Sequence, residues 1–285
     1  MITYAQALLL GLLQGIAELF PISSLGHSVL VPALLHWNID EHAPYFLTFL
    51  VATHFATALV LLAFFAKDWL KIIQGFFRSL LNRGIPVGDT YARLSWVIIV
   101  ATVPAGIIGL LFQSKIQALL AAPTIVALFL VLNGALLYTI EEVQKGRARF
   151  FTAMTSGDVA IARLPWPYAA VTGLAQAIAL LPGFSRTGAS LGGGLLVGLD
   201  HESAARFSFL LATPIILAAA VLKLPELFMT HGYPVPQILV GALAAAAGAA
   251  FSTFFLLQFF RSNTMRPFAF YCIAAGAVSL VLLTR

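Results

Sequence analysis

Six stretches of the chain stay apolar for roughly the 20 residues that a membrane-crossing helix needs. They lie near 44–66, 94–112, 124–142, 205–224, 237–260 and 267–284, and the pattern predicts a transmembrane helix over each. Two further apolar regions are interrupted. One runs from Ile2 to Phe20, meets Pro21-Ile22-Ser23-Ser24-Leu25-Gly26-His27, and resumes as a short arm ending at Trp37. The other runs from Tyr168 to Leu181, meets Pro182-Gly183-Phe184-Ser185-Arg186-Thr187-Gly188, and resumes as a Gly-rich arm ending at Leu199. Irregular backbone at membrane depth is tolerated only where it is buried in protein or lines a cavity. Each arm–break–arm unit therefore predicts a re-entrant helix pair, over 2–37 and 168–199.

The two breaks are related. At an offset of 162, residues 11–28 align with 173–190 and nine of the eighteen positions are identical, among them Gly11/Gly173, Gln14/Gln176, Ser23/Ser185, Gly26/Gly188 and Ser28/Ser190. Similarity resumes at offset 160, where Phe49–Thr53 faces Phe209–Thr213. Matched Gln, Ser and Gly positions point to an internal repeat rather than to chance in an Ala/Leu-rich chain. The predicted organisation is a first repeat at 1–142, a basic cytoplasmic linker at 143–166 and a second repeat at 167–285.

Composition agrees with this pattern. Hydrophobic residues make up 60% of the 285 and charged residues only 9%, where a soluble domain carries roughly 25%. A soluble enzyme, a disordered chain and a disulfide scaffold are excluded. The single cysteine, Cys272, lies in an apolar run and reads as a small buried hydrophobe. The first apolar stretch has no Lys or Arg before it and holds Glu18 where a signal peptide would carry small neutral residues, so it reads as part of the mature fold.

The location of the net charge of +5 fixes an orientation. With the basic loop 67–93 in the cytoplasm, three-span alternation places twelve of the sixteen Lys and Arg inside and only Lys115, Lys223 and Arg285 outside, with Arg186 at the second break. That distribution obeys the positive-inside rule and needs no nucleic acid to explain it; the basic loops suit anionic lipid headgroups. The first re-entrant pair then enters from outside and the second from inside. The predicted fold class is an all-α polytopic membrane protein built as an inverted-topology repeat, each half one re-entrant pair plus three transmembrane helices. Such repeats bring their broken helices together near the midplane.

Away from the segment ends, ionisable groups within the apolar segments are few, namely Glu18, His27, His54 and Arg186, and each is a functional candidate because charge at that depth is costly. If the breaks meet, Glu18, Ser24, His27 and Arg186 share a pocket with Ser23, Ser185, Thr187 and Ser190. These residue types suit a phosphate. Helix starts offer unpaired N–H groups and a positive dipole end. Gly26, Gly183 and Gly188 permit close approach of backbone, and the Arg186 fork matches phosphate oxygens. Ser24 is a candidate nucleophile or a helix cap. His27, three residues on, is placed on the same helical face to move its proton, or is a packing histidine. Glu18 is a candidate base, a ligand with Gln14 for a hard divalent cation, or half of a structural ion pair with Arg186. His54 is a candidate pocket residue or a hydrogen-bonded packing one. His36, His42, His201 and His231 read as solvated loop residues, and Gly192–Gly194 with Gly241–Ala250 as small-residue faces for helix packing that make a homodimer plausible.

Gln14-Gly15-Ile16-Ala17-Glu18 followed by Pro21–His27 resembles the Glu/Gln-x-x-x-Glu and P-(V/I)-S-S-(T/S)-G-H signatures of the undecaprenyl-diphosphatase (bacitracin-resistance) family. Pro182–Ser190 is similar to that family's P-G-x-S-R-S-x-x-T motif. The resemblance spans nearly the whole chain. It implies a bacterial plasma-membrane phosphatase that removes the terminal phosphate of undecaprenyl diphosphate, returning the lipid carrier for cell-wall synthesis. It also implies dependence on Mg²⁺ or Ca²⁺ and a site opening to the outer face. Carried over, Gln14 and Glu18 form the acidic motif, Ser24 and His27 the catalytic pair and Arg186 the phosphate clamp, with Ser185, Thr187 and Ser190 as supporting donors. Leu25 stands where the family has a small hydroxyl residue, Thr187 and Ser190 exchange Ser and Thr, and Gln14 is the neutral option. The competing expectation is a secondary transporter or flippase for an anionic lipid or phosphate compound, since carriers use the same repeat architecture but need no nucleophile with a base.

Overall fold

The computed structural model describes residues 2–40, 43–112, 122–145, 157–225 and 232–285. Among them the regular elements are all helices. The first broken pair is α1 (Tyr4–Leu19) and α2 (Ser24–Leu34); α3 (Pro44–Phe64), α4 (Ala66–Leu81), α5 (Thr90–Leu111) and α6 (Pro123–Lys145) follow. A short α7 (Asp158–Ala162) leads to the second broken pair, α8 (Trp166–Ile178) and α9 (Arg186–Leu196), and then to α10 (His201–Lys223), α11 (Val235–Phe259) and α12 (Arg266–Leu283). Six helices, α3, α5, α6, α10, α11 and α12, are long and apolar enough to cross a membrane. They coincide with the six apolar stretches, and the chain is a multi-pass membrane protein. Lys115, His42, His231 and residues 146–156 of the expected linker lie outside the described residues.

Hydrophobic burial gives little drive for helix association in lipid, so contact is set by how closely backbones approach. Small residues provide that approach. A Cβ built on Gly11 would stand 2.1 Å from the carbonyl oxygen of Gly241, and one on Gly15 would stand 2.0 Å from that of Ala245, which seats α1 against α11. Gly173 meets the Ala101 carbonyl in the same way, 2.3 Å from its built Cβ, seating α8 against α5. The Gly241–Ala250 face is thus spent inside the chain.

Two expectations are corrected. The region 67–93, read as a basic loop, contains α4. Its apolar residues recur at helical spacing, with Ile72 buried and Leu70, Ile73, Phe77 and Leu81 exposed, as in an interfacial helix. Arg78 then donates to both carboxylate oxygens of Asp89 (2.9 and 3.1 Å), and Asp89 caps α5 by accepting from the Ala92 N–H. His201, read as solvated, is largely buried and lies 2.8 Å from Glu141 Oε1. With Arg206 bound to Asp68 and Asp158, it belongs to an ion-paired layer at one end of the bundle. His36 is exposed, at the turn after α2.

Candidate active site

The two breaks cap their second helices alike. Ser23 caps α2, its hydroxyl accepting from the Gly26 N–H, and Ser185 caps α9 by accepting from Gly188 N–H, each at 3.1 Å. Ser24 and Arg186, which align at the offset of 162, are consequently the first residues of α2 and α9. Ser23 holds φ 69° and ψ 95°, a left-handed backbone that a side chain adopts at a cost of about 1–3 kcal/mol. Asn133 of α6 ties the breaks together: its amide nitrogen donates to the Pro21 carbonyl (3.1 Å), and its oxygen accepts from Ser185 N–H (3.0 Å).

Everything converges on Glu18, at the end of α1. The Ser24 hydroxyl donates to Glu18 Oε2 at 2.5 Å, and Gln14, one turn earlier, donates to the same oxygen at 3.1 Å. The Arg186 Nη2 donates to Oε1 at 2.6 Å. His54 Nε2 lies 3.2 Å from Oε2. Thr187 donates to the Glu18 backbone carbonyl at 2.7 Å. Glu18 is 6% exposed, so this carboxylate is held inside the protein by charge and hydrogen bonds from both breaks and from α3.

The histidines differ in what they face. His54 has Nδ1 on the Leu50 carbonyl (2.7 Å) and Nε2 on the Glu18 carboxylate. Both ring nitrogens of His54 thus face acceptor oxygens. His27 is turned away from Ser24. Its Nδ1 faces the Ser23 carbonyl (2.7 Å) and its Nε2 the Tyr271 hydroxyl of α12 (2.8 Å), a pattern met by a neutral ring that donates once and accepts once. The structure thus brings Glu18, not His27, to the Ser24 hydroxyl.

A cavity of about 310 Å³ lies beside this cluster, lined at its polar end by Glu18, Ser23, Ser24, His54, Ser185 and Arg186. Gly26 and Gly183 are not on its wall. They pack break against break, a Cβ built on Gly26 standing 3.2 Å from the Gly183 Cα, and Gly183 has φ 108°. Ser190 is likewise occupied elsewhere, donating to the Arg186 carbonyl at 2.8 Å and sharing a 2.6 Å hydrogen bond with Ser208 of α10. Asn133, Tyr271 and Ser208 are site-supporting residues that the sequence reading missed. A lone Asn in the apolar stretch 124–142 was the available signal for the first.

The donor set does not fit a divalent cation as arranged. Among the described residues no three His, Cys, Asp or Glu side chains cluster as metal ligands. The one carboxylate present has a guanidinium on Oε1 and three neighbours on Oε2, which leaves the buried, unpartnered Gln14 Oε1 as a single neutral oxygen.

Helical spans, two helix starts and a hydroxyl on a buried carboxylate beside a free guanidinium edge define a membrane-embedded protein equipped to bind and act on an anionic group. The comparisons agree in class. The family described as "Bacitracin resistance protein BacA" matches residues 7–278, and the chain belongs to that family. It is 44% identical over 300 residues to the undecaprenyl-diphosphatase of Mycolicibacterium paratuberculosis, covering 99% of this chain and 98% of that protein. It is 43% identical over 281 residues to undecaprenyl-diphosphatase 2 of Chromobacterium violaceum, covering 97% of each. The undecaprenyl-diphosphatase of Gluconobacter oxydans is 41% identical over 280 residues, with 96% of each chain covered.

Proposed function

We propose that this chain is an integral membrane phosphatase that hydrolyses undecaprenyl diphosphate to undecaprenyl phosphate and inorganic phosphate, and so confers bacitracin resistance by recycling the lipid carrier. The observation that carries this reading is the Ser24 hydroxyl donating to buried Glu18 in the same cavity wall as Arg186. Relatives covering nearly the whole chain carry that activity in their names. A carrier needs the cation and helix starts but has no use for a hydroxyl seated on a carboxylate.

In the proposed reaction the terminal phosphate sits between the N-termini of α2 and α9. Arg186 Nη1, buried and without a protein partner among the described residues, supplies a donor to it. Ser24 Oγ attacks the terminal phosphorus while its proton passes to Glu18, and the bond from that phosphorus to the bridging oxygen breaks. Undecaprenyl phosphate leaves with the bridging oxygen. Water then cleaves the phosphoserine, releasing phosphate and returning the proton to Ser24. His54, on the same carboxylate oxygen, steadies Glu18 through both proton movements. The expected Mg²⁺ or Ca²⁺ belongs in this reading as a counter-ion carried by the diphosphate.

The inverted repeat and the outward-facing site are part of the same proposal. The pairing of α1 with α11 and of α8 with α5 is what an exchange of halves would produce, and Gly11 and Gly173, aligned in sequence, make those contacts. The cavity wall includes Leu47 near the start of α3 and Gly109 and Ala219 near the ends of α5 and α10. The ion pairs of Arg206 and His201 lie at the opposite end, the cytoplasmic one by the positive-inside rule. A homodimer enters this reading only through a surface other than the α1–α11 seam.

The test is phosphate release from undecaprenyl diphosphate by purified protein in detergent, with Mg²⁺ or Ca²⁺ and with chelator, beside Ser24→Ala. Release that Ser24→Ala abolishes is expected. A folded wild-type protein that releases none overturns the reading.

A further inference from the structure

The helical glycines differ in the space around them. Gly11, Gly15, Gly75 and Gly173 have no room for a Cβ, which would come within 2.5 Å of neighbouring backbone. Gly106 and Gly109 of α5 are different. A Cβ on Gly109 would meet only the Leu180 side chain, at 3.6 and 3.9 Å, and one on Gly106 only Ile215 Cδ1, at 3.9 Å. Neither has a positive φ. Glycine is disfavoured against alanine within a helix, and here neither packing nor backbone conformation requires it. The two are three residues apart and share one face of α5.

Gly109 lines the cavity, and Gly106 lies one turn earlier on α5. Beyond the cavity's polar end the wall is apolar and includes Gly109, Leu180, Ile215, Ile216 and Ala219 beside apolar residues of α3. At about 310 Å³ the cavity sits at the bottom of the roughly 300–1,000 Å³ range of small-molecule sites, enough for a headgroup and a few carbons. A polyprenyl chain must therefore leave it sideways. The helices α5 and α10, which both reach the cavity, pack lightly against each other, and the last turns of both expose apolar side chains, Leu110, Leu111, Val221 and Leu222.

We infer that the prenyl chain of the substrate leaves the cavity between α5 and α10, across Gly106 and Gly109, and that these glycines are specificity-determining residues that keep the passage wide enough for it. The inference rests on the proposed phosphatase reading and places the substrate's tail. Long-chain binding energy is realised along this passage, whereas a short diphosphate ester needs only the polar end.

The experiment compares undecaprenyl diphosphate with dimethylallyl diphosphate in detergent, using wild type, Gly109→Ala and Gly109→Phe. Gly109→Phe is expected to raise KM for the long substrate roughly tenfold or more and to leave short-substrate turnover within about threefold. Gly109→Ala, which adds a single methyl to the passage, is expected to raise the long-substrate KM in the same direction by a smaller factor. A wild-type KM for the long substrate in Gly109→Phe overturns the inference, as does an equal loss on both substrates. A wild type that hydrolyses neither refutes the phosphatase reading instead. Independently of any variant, a prenyl phosphate bearing a diazirine on an early isoprene unit should label wild-type peptides from the ends of α5 and α10. Labelling confined to other helices refutes the passage.

Discussion

Asn133→Leu is the most informative single change, because it exchanges polar atoms for methyl groups on the same branched skeleton in a side chain that bonds both breaks. Asn133 is fully buried, with its nitrogen 3.1 Å from the Pro21 carbonyl and its oxygen 3.0 Å from the Ser185 N–H. Leucine leaves both backbone groups without that partner. An orphaned buried polar group costs about 1–3 kcal/mol, so the two together cost about 2–6 kcal/mol. Relaxation lowers the cost by letting the breaks move, and that movement reaches the site: Ser185 directly precedes Arg186, and Pro21 lies three residues before Ser24. A displacement of about 1 Å in a reacting group costs on the order of 10²-fold in rate. The assay is a thermal melt of detergent-purified protein beside phosphate release per folded molecule. Both are expected to fall. An unchanged melt with unchanged turnover would refute the bridging role. A lower melt with full turnover would confine Asn133 to the fold and refute its part in seating the site.

Other expectations can be checked with the same preparations. Glu18→Gln leaves Arg186 as a buried cation without its carboxylate, which should cost about 3–5 kcal/mol of stability, and removes the acceptor of the Ser24 proton, which should cost about 10²–10⁴-fold in turnover; wild-type release would remove Glu18 from the mechanism. Gly15→Val places side-chain atoms where the Ala245 carbonyl stands and should prevent α1 from seating on α11, seen as loss of monodisperse protein on extraction. Asp89→Ala removes the cap of α5 at about 1 kcal/mol near neutral pH. The Arg78 guanidinium beside Asp89 holds its carboxyl below the usual range, so this contribution is present above the unfolded carboxyl's pKa near 4 and is lost as pH falls through the lower folded value. The gap between wild-type and variant melting midpoints should therefore close in acid.

The spans and the breaks were legible because apolar length and polar interruption are properties of a linear sequence. Helix α4 was hidden because Lys67, Lys71 and Arg78 on its polar face break the apolar run that marked the other helices. The convergence of Glu18, Ser24 and Arg186 followed from assuming that the breaks meet. Which partner each side chain takes did not follow. Spacing along α2 puts Ser24 and His27 on one face but says nothing of which neighbouring helix each turns to; Ser24 meets α1 and His27 meets Tyr271 of α12. Asn133 carries no charge to mark it in an apolar span, although a buried amide in lipid needs partners as surely as a charge does.

The two breaks share a frame but not a chemistry, and the difference lies in a few aligned positions. Ser23 and Ser185 do the same capping work, while Ser24 aligns with Arg186, Glu18 with Leu180 and His27 with Ala189. One break keeps the reacting hydroxyl and the carboxylate and the other contributes the cation, so the meeting of the two makes one site rather than two. Gln14 and Gln176 show the consequence. Gln14 donates to Glu18, but Gln176 has Leu180 where that acceptor would stand, and it is buried with neither amide atom partnered among the described residues. An unsatisfied buried amide costs stability, and an apolar group of similar shape in its place is neutral or stabilising. Gln176→Met is therefore expected to keep or raise the melting midpoint with phosphate release intact, whereas Gln14→Met lowers both. A Gln176→Met protein that melts earlier and turns over more slowly than wild type would show that the second glutamine still serves the site, and that the division of labour between the halves is less complete than their side chains indicate.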